Sequence, residues 1–161
     1  LKHVDHALTR VREMSRSLQA VPPQPEGLLD ALSGLASHVS STAQVSCTVQ
    51  AGQDIRVPDP HVANYLYRLA QEAVHNAVRH GRPKAVVISL SAQPEGLTLS
   101  VTDDGAGLLD AAKKDSGMGL DIMRHRASLI HGALTVLSHS GKGTRVICRV
   151  PAGAQVHGDR E

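Results

Sequence analysis

A carboxylate, an amide and an imidazole recur at four-residue intervals in the stretch QEAVHNAVRHG. They are Glu72, Asn76 and His80, with Arg79 beside the last. On a helix this spacing stacks the three side chains on one face. Val62, Leu66, Leu69, Ala73 and Ala77 form the neighbouring apolar stripe, so the polar row borders the core side of the helix. Such a row has two readings. It is either a solvated edge with an ordinary i,i+4 pair, or a place for a hard divalent cation and phosphate. Mg²⁺ takes oxygen ligands and keeps several waters. One amide oxygen from Asn76, together with phosphate oxygens, would suit it.

A second stretch, VTDDGAGL at residues 101–108, sets two acids at the end of an apolar run and follows them with Gly-x-Gly. By itself it fits a metal site, a turn or the floor of a nucleotide pocket, because Asp-Asp-Gly is common turn chemistry. Glycine pairs recur at three places: Gly105 and Gly107 after a strand-like run, Gly117 and Gly119 at the mouth of a helix, and Gly141 and Gly143 in a turn before Thr144. The second pair says the most. A glycine-rich loop opening a helix leaves N–H groups pointing forward, at the positive end of the helix dipole, where phosphate is favoured. Neither a P-loop nor a strand–Gly-x-Gly-x-x-Gly–helix unit is present, which argues against P-loop and Rossmann enzymes.

The elements that must position these residues follow from periodicity. Residues 1–20 read as a helix, with Val4, Leu8, Val11, Met14 and Leu18 at spacings of three and four. Pro22, Pro23 and Pro25 break it. A second helix spans Leu28 to about Ser40, and AQVSCTVQAG alternates as a strand ending at Gly52. After Asp59-Pro60 comes the long helix with the polar row, for which Gly81 is the expected C-cap. AVVISLSA and LTLSVTDD form a hairpin across QPEG. Residues 108–116 make a short polar loop, MGLDIMRHRASLIHG a helix stopped by Gly132, and ALTVLSHS and TRVICRVP two last strands. The expected fold is therefore α+β, a two-layer sandwich in which a mixed, mostly antiparallel sheet carries helices on one face. Residues 1–21 read as a helix end and linker, 22–152 as one domain, and 153–161 as a frayed polar tail.

Bulk properties narrow the classes. The 161 residues suffice for one domain with a core, which must be aliphatic, since Tyr65 and Tyr67 are the only aromatics among Phe, Trp and Tyr. A net charge of +2 without a basic stripe excludes a nucleic-acid partner. Cys47 and Cys148 read as buried reduced thiols of a cytoplasmic domain. No run approaches the roughly 20 apolar residues of a membrane helix. The chain opens at Leu1 without Met and reads as a fragment of a longer protein.

In order, LAQEAVHNAVRHG, VTDDGAGL, GMGLDIMRHRASLIHG and GKGTRVICRVP resemble the ATP-binding catalytic domain of sensor histidine kinases. That domain has the Bergerat-type ATP-binding fold shared with gyrase, mismatch-repair ATPases and heat-shock chaperones. The resemblance covers about residues 58–151. It points to the nitrate-sensor and lipid-fluidity-sensor branch through Glu four before Asn, a short loop between the first two glycine boxes, and GLDIMRHRASLIHG. It implies ATP and Mg²⁺ as cofactors, with Asp103 at the bottom of the adenine pocket and Asn76 as the Mg²⁺ ligand. Arg79 would touch phosphate and His80 would line the ribose or adenine edge. Gly105 and Gly107 let the backbone approach the base, and Gly117 and Gly119 flank the lid and phosphates. Thr144, after Gly143, supports the aspartate and a water. Glu72 either positions Mg²⁺-bound water or acts as a base. The chemistry agrees: an ionised carboxylate accepts from the adenine N6 amino group, whereas guanine presents an oxygen there.

The resemblance further implies transfer of the γ-phosphoryl to a histidine on a separate dimerisation domain of a homodimeric parent, which serves a response regulator. It allows that parent to be anchored in the inner membrane. No acceptor motif is visible around His3 or His6. The alternatives within the same fold are an anti-sigma-type serine kinase and a non-catalytic nucleotide-sensing domain.

Overall fold

In this computed structural model, residues 26–53, 55–57, 59–107 and 118–154 are described. The expected helix over residues 1–20, the Pro-rich connector, the loop 108–116, Gly117 and the end of the tail lie outside the described residues.

Helix α1 spans Gly27–Ala43, strand β1 Ser46–Ala51 and helix α2 Pro60–Asn76. A π-helical turn, Ala77–Gly81, continues α2. Strands β2 (Ala85–Gln93) and β3 (Gly96–Asp103) form the expected hairpin, with Gln93 opposite Gly96. Helix α3 covers Met118–Leu129, and β4 (Ala133–Ser138) and β5 (Thr144–Pro151) complete the sheet.

The strand order is β1-β2-β3-β5-β4. β1 runs parallel to β2, and the other neighbours are antiparallel. Period-two alternation gives the sheet two unlike faces. Val86, Ile88 and Leu90 of β2, Leu99 and Val101 of β3, and Cys148 and Val150 of β5 are buried on the side that the helices cover. The register places Thr48, Ser89, Thr102, Arg145 and Arg149 on the other side. α1 packs on β1, α2 on β3 and α3 on β4. The architecture is the expected mixed sheet with one helical layer. Its core is aliphatic: Leu28, Leu32, Leu66, Leu69, Ile88 and Ile130 are fully buried within one cluster. Burying each contributes about 1.5–3 kcal/mol relative to exposure.

Two expected helix ends differ in detail. Gly81 was expected to take the left-handed C-cap position, but that conformation falls to Arg82 (φ 47°). At the end of α3 it falls to His131 (φ 53°) rather than to Gly132. Both glycines sit where space is short. A Cβ at Gly81 would lie 3.2 Å from Asp103 Oδ1, and one at Gly132 would lie 3.2 Å from Cys148 Sγ. At both positions another segment comes close to the glycine, and the positive φ falls to its neighbour in sequence.

Candidate functional site

Helix α2 starts on a firm cap. Asp59 Oδ1 accepts from the N–H groups of His61 (2.7 Å) and Val62 (3.4 Å), and Pro60 opens the first turn. This satisfies helix-end donors that would otherwise lack partners. The apolar stripe then does what its spacing predicts: Val62, Leu66, Leu69, Ala73 and Ala77 are buried. Glu72 and Asn76 lie half-buried along the edge of that stripe, while Arg79 and His80 are exposed. The four-residue interval holds as α-helix from Glu72 to Asn76. Beyond Asn76 the helix widens to i→i+5 bonding, which changes the angles at which Arg79 and His80 leave the axis. Such π turns occur frequently at functional sites.

Helix α3 brings Gly119 against this row. A Cβ there would lie 2.5 Å from Glu72 Oε1 and 3.3 Å from Asn76 Nδ2. Any residue other than glycine would push against both polar groups, so the start of α3 and the polar row of α2 share one small space. Gly117 falls outside the described residues.

Asp103 ends β3 on the helix-covered face and is only 7 % exposed. Its Oδ1 accepts from the Gly105 N–H at 2.9 Å, and the Thr144 N–H also donates to its carboxylate. Burial is the larger influence and pushes the Asp103 carboxyl above the ordinary range. The two N–H groups oppose that shift, and the Asp104 charge adds to it. Gly143, with φ 83°, backs onto the Asp103 carbonyl so closely that a Cβ there would overlap it. The turn between β4 and β5 is tied to the loop after β3, for Gly141 N–H donates to Ala106 O at 2.7 Å. Gly107 (φ 74°) lies beneath the carbonyls of His139 and Gly143 in the same junction. The Thr144 hydroxyl is 3.1 Å from Ser138 Oγ, so Thr144 reaches Asp103 through its main chain and Ser138 through its side chain.

The structure thus forms two clusters: Glu72, Asn76 and Gly119 in one, and Asp103, Gly105, Gly107, Gly143 and Thr144 in the other, with Gly81 at the end of the π turn beside Asp103. Three participants were missed in the sequence reading: Gly81, beside Asp103; Ser138, on Thr144; and Asp104, whose Oδ1 takes two main-chain N–H groups of the β2 start. A signal for Asp104 existed. Two adjacent acids at a strand end face opposite sides, so each needs its own partners. Among the described residues no group of three or more His, Cys, Asp or Glu side chains could hold a metal. A divalent cation at Asn76 would therefore draw most of its ligands from phosphate and water, as Mg²⁺ does.

Residues 61–154 match the family model described as histidine kinase-, DNA gyrase B-, and HSP90-like ATPase. The sensor histidine kinase LiaS of Bacillus subtilis is 30 % identical over 165 residues, covering 100 % of this chain and 45 % of the relative. The nitrate/nitrite sensor protein NarQ of Escherichia coli is 28 % identical over 151 residues, covering 89 % of this chain and 25 % of the relative. The chain thus spans less than half the length of these curated relatives. In fold, the histidine kinase domain of a blue-light activated histidine kinase from Erythrobacter litoralis superposes with a TM-score of 0.63 at 24 % identity. It covers 83 % of this chain and 63 % of that one.

Proposed function

We propose that this chain, which belongs to the histidine kinase-, DNA gyrase B-, and HSP90-like ATPase family, is the Mg-ATP-binding catalytic domain of a two-component sensor histidine kinase. The observation that carries the reading is the junction around Asp103: a buried carboxylate at a strand end, held by the Gly105 and Thr144 N–H groups, where glycines let three backbone segments approach closely. Its free acceptor capacity suits the adenine N6 amino donor. Guanine would leave that buried acceptor facing an oxygen, which a site of this kind rejects strongly.

Asn76 is positioned to offer one amide oxygen to Mg²⁺. The ion supplies charge neutralisation to the phosphates. Gly119 lets the start of α3 come against the polar row, and in this reading the positive end of α3 faces the phosphates. In this reading Arg79, exposed in the π turn, touches phosphate, and His80, exposed beside it, lines the ribose or adenine edge. Glu72 either orients a water or serves as a base. Positioning and charge account for most of what phosphoryl transfer asks of a protein. In this reading the phosphoryl passes to a histidine on a dimerisation domain of a homodimeric parent and from there to a response regulator. Among the described residues no helix is long and apolar enough to cross a membrane. We place the domain in the cytoplasm, where ATP is supplied, and its free, buried Cys47 and Cys148 accord with that.

Calorimetric titration of the chain with Mg-ATP and Mg-GTP tests the reading. ATP is expected to bind in preference to GTP. Asp103→Asn, which keeps the size but presents an amide, is expected to lower ATP affinity by about 1–3 kcal/mol. Equal binding of the two nucleotides would remove Asp103 from adenine recognition.

A further inference from the structure

Asp103 and Asp104 are neighbours with separate tasks. Asp103 is buried on the helix-covered face, whereas Asp104 lies just past β3 and is exposed. Asp104 Oδ1 accepts from the Lys84 N–H at 2.8 Å and the Ala85 N–H at 2.9 Å. Its own N–H donates to Ala85 O at 3.3 Å. The β2–β3 ladder has its last rung at Val86 and Asp103. Beyond that rung, a side-chain oxygen takes over as acceptor where the strands would otherwise part. Its N–H partners, Ala85 first, hold the Asp104 carboxyl below the ordinary range, so it stays an acceptor-only group at neutral pH.

The contacts around this clamp show what it restrains. On one side, Ser46 N–H of β1 donates to Lys84 O at 2.9 Å. On the other, Ala106 N–H donates to Gly81 O at 2.9 Å. The connection over residues 82–84, which contains the left-handed Arg82, is thereby tied to the loop that follows Asp103 at both of its ends. Between those ties sits the close approach of Gly81 to Asp103 Oδ1.

We propose that Asp104 is a positioning residue of the nucleotide pocket: by clamping the first amides of β2, it fixes the spacing between the π turn and the loop after β3, and so sets how the Asp103 carboxylate is presented to the purine. Asp104 itself touches no substrate. The inference rests on the nucleotide-site reading above and deepens it by adding a residue that controls base preference.

The test uses Asp104→Ala and Asp104→Asn in the 161-residue chain. Two quantities are measured: amide hydrogen exchange at Gly105 and Ala106 without nucleotide, and dissociation constants for Mg-ATP and Mg-GTP. The alanine variant is expected to exchange faster at both amides, to bind ATP roughly tenfold more weakly, the scale of one lost charge-assisted hydrogen bond, and to show a narrowed ATP-over-GTP preference. The asparagine variant keeps the Oδ1 acceptor and is expected to behave as the parent. A merely structural clamp would lower Tm and leave the base preference untouched, and that result overturns the proposal. If the alanine variant does not fold, Asp104→Glu replaces it, with the charge kept and the reach changed. Narrowed preference in that variant supports positioning, and unchanged preference refutes it. If the parent chain binds neither nucleotide, the nucleotide-site reading fails by itself. Exchange at Ala106 then decides alone whether Asp104 holds the loop.

Discussion

At neutral pH the Asp103 carboxylate occupies a place that favours its neutral form, since burial raises its pKa more than the Gly105 and Thr144 N–H groups lower it. Linkage fixes the sign of two consequences. A carboxyl with a raised folded-state pKa makes the empty domain less stable as pH climbs from the ordinary carboxylate range through the raised value. In the proposed contact with adenine, nucleotide binding runs the other way, because only the ionised group is purely an acceptor for the adenine amino hydrogens. Asp103→Asn is therefore expected to raise Tm of the empty chain at neutral pH while it weakens ATP binding. As pH falls from neutral, the parent is expected to lose ATP affinity at a higher pH than an ordinary carboxylate would titrate, and Asp103→Asn should lack that component. Calorimetry across pH with both proteins checks this. Superimposable profiles would show that another group governs the dependence.

Helix α2 carries two functions at its two ends, and substitutions should separate them. Its N-terminus is held by Asp59, so Asp59→Ala is expected to cost about 1 kcal/mol of stability and to leave nucleotide affinity as it was. At the other end, Gly119 of α3 lies against Glu72 and Asn76, with no room for a Cβ between them. In Gly119→Ala the new methyl meets the far end of a flexible glutamate, which can swing aside at small cost to folding. Its displacement crowds the space assigned to phosphate. Gly119→Ala is thus expected to reduce Mg-ATP affinity several-fold with little change in the urea midpoint. Paired denaturation and titration of the two variants measure the contrast. A Gly119→Ala protein that binds as the parent would place the phosphates elsewhere.

On the scale of the whole molecule, the five-stranded sheet carries a single helical layer, and the candidate residue Asp103 stands at the end of its β3 strand. β5 lies between β3 and β4, which sets the glycine turn before Thr144 against Asp103. The proposed phosphoryl transfer needs an acceptor delivered in line with the γ-phosphoryl group. If the proposed histidine-bearing dimerisation domain is mixed with the chain and γ-labelled ATP, acid-labile label is expected on that domain. Asn76→Ala is expected to abolish the transfer. It should also weaken ATP binding more with Mg²⁺ than with chelator. Acid-stable label would favour the serine-kinase alternative, and label on His3 or His6 would place the acceptor within the first helix-like stretch.

Local patterning was enough for most elements. Alternation in AVVISLSA and TRVICRVP marked β2 and β5 to within a residue, and the stripe Val62-Leu66-Leu69-Ala73 marked the buried face of α2, because period two and period 3.6 are properties of consecutive residues. The order of four motifs was enough to indicate the family. Alternation carries no information on which strand lies beside which, or in what direction. The parallel pairing of β1 with β2 and the insertion of β5 between β3 and β4 are set by contacts between distant segments. The division of labour in Asp-Asp-Gly was likewise decided by tertiary structure. Asp103 faces inward because β3 ends on its core-facing phase, and Asp104 faces outward to amides supplied twenty residues earlier by Lys84. The same holds for Gly81 and Gly132. Turn chemistry assigned them to left-handed caps, yet the chain spends its glycines where another segment comes close and lets Arg82 and His131 take the positive φ. Dihedral preference is a local quantity of about 1 kcal/mol. The close approach of another segment is not local, and only the assembled fold places that neighbour there.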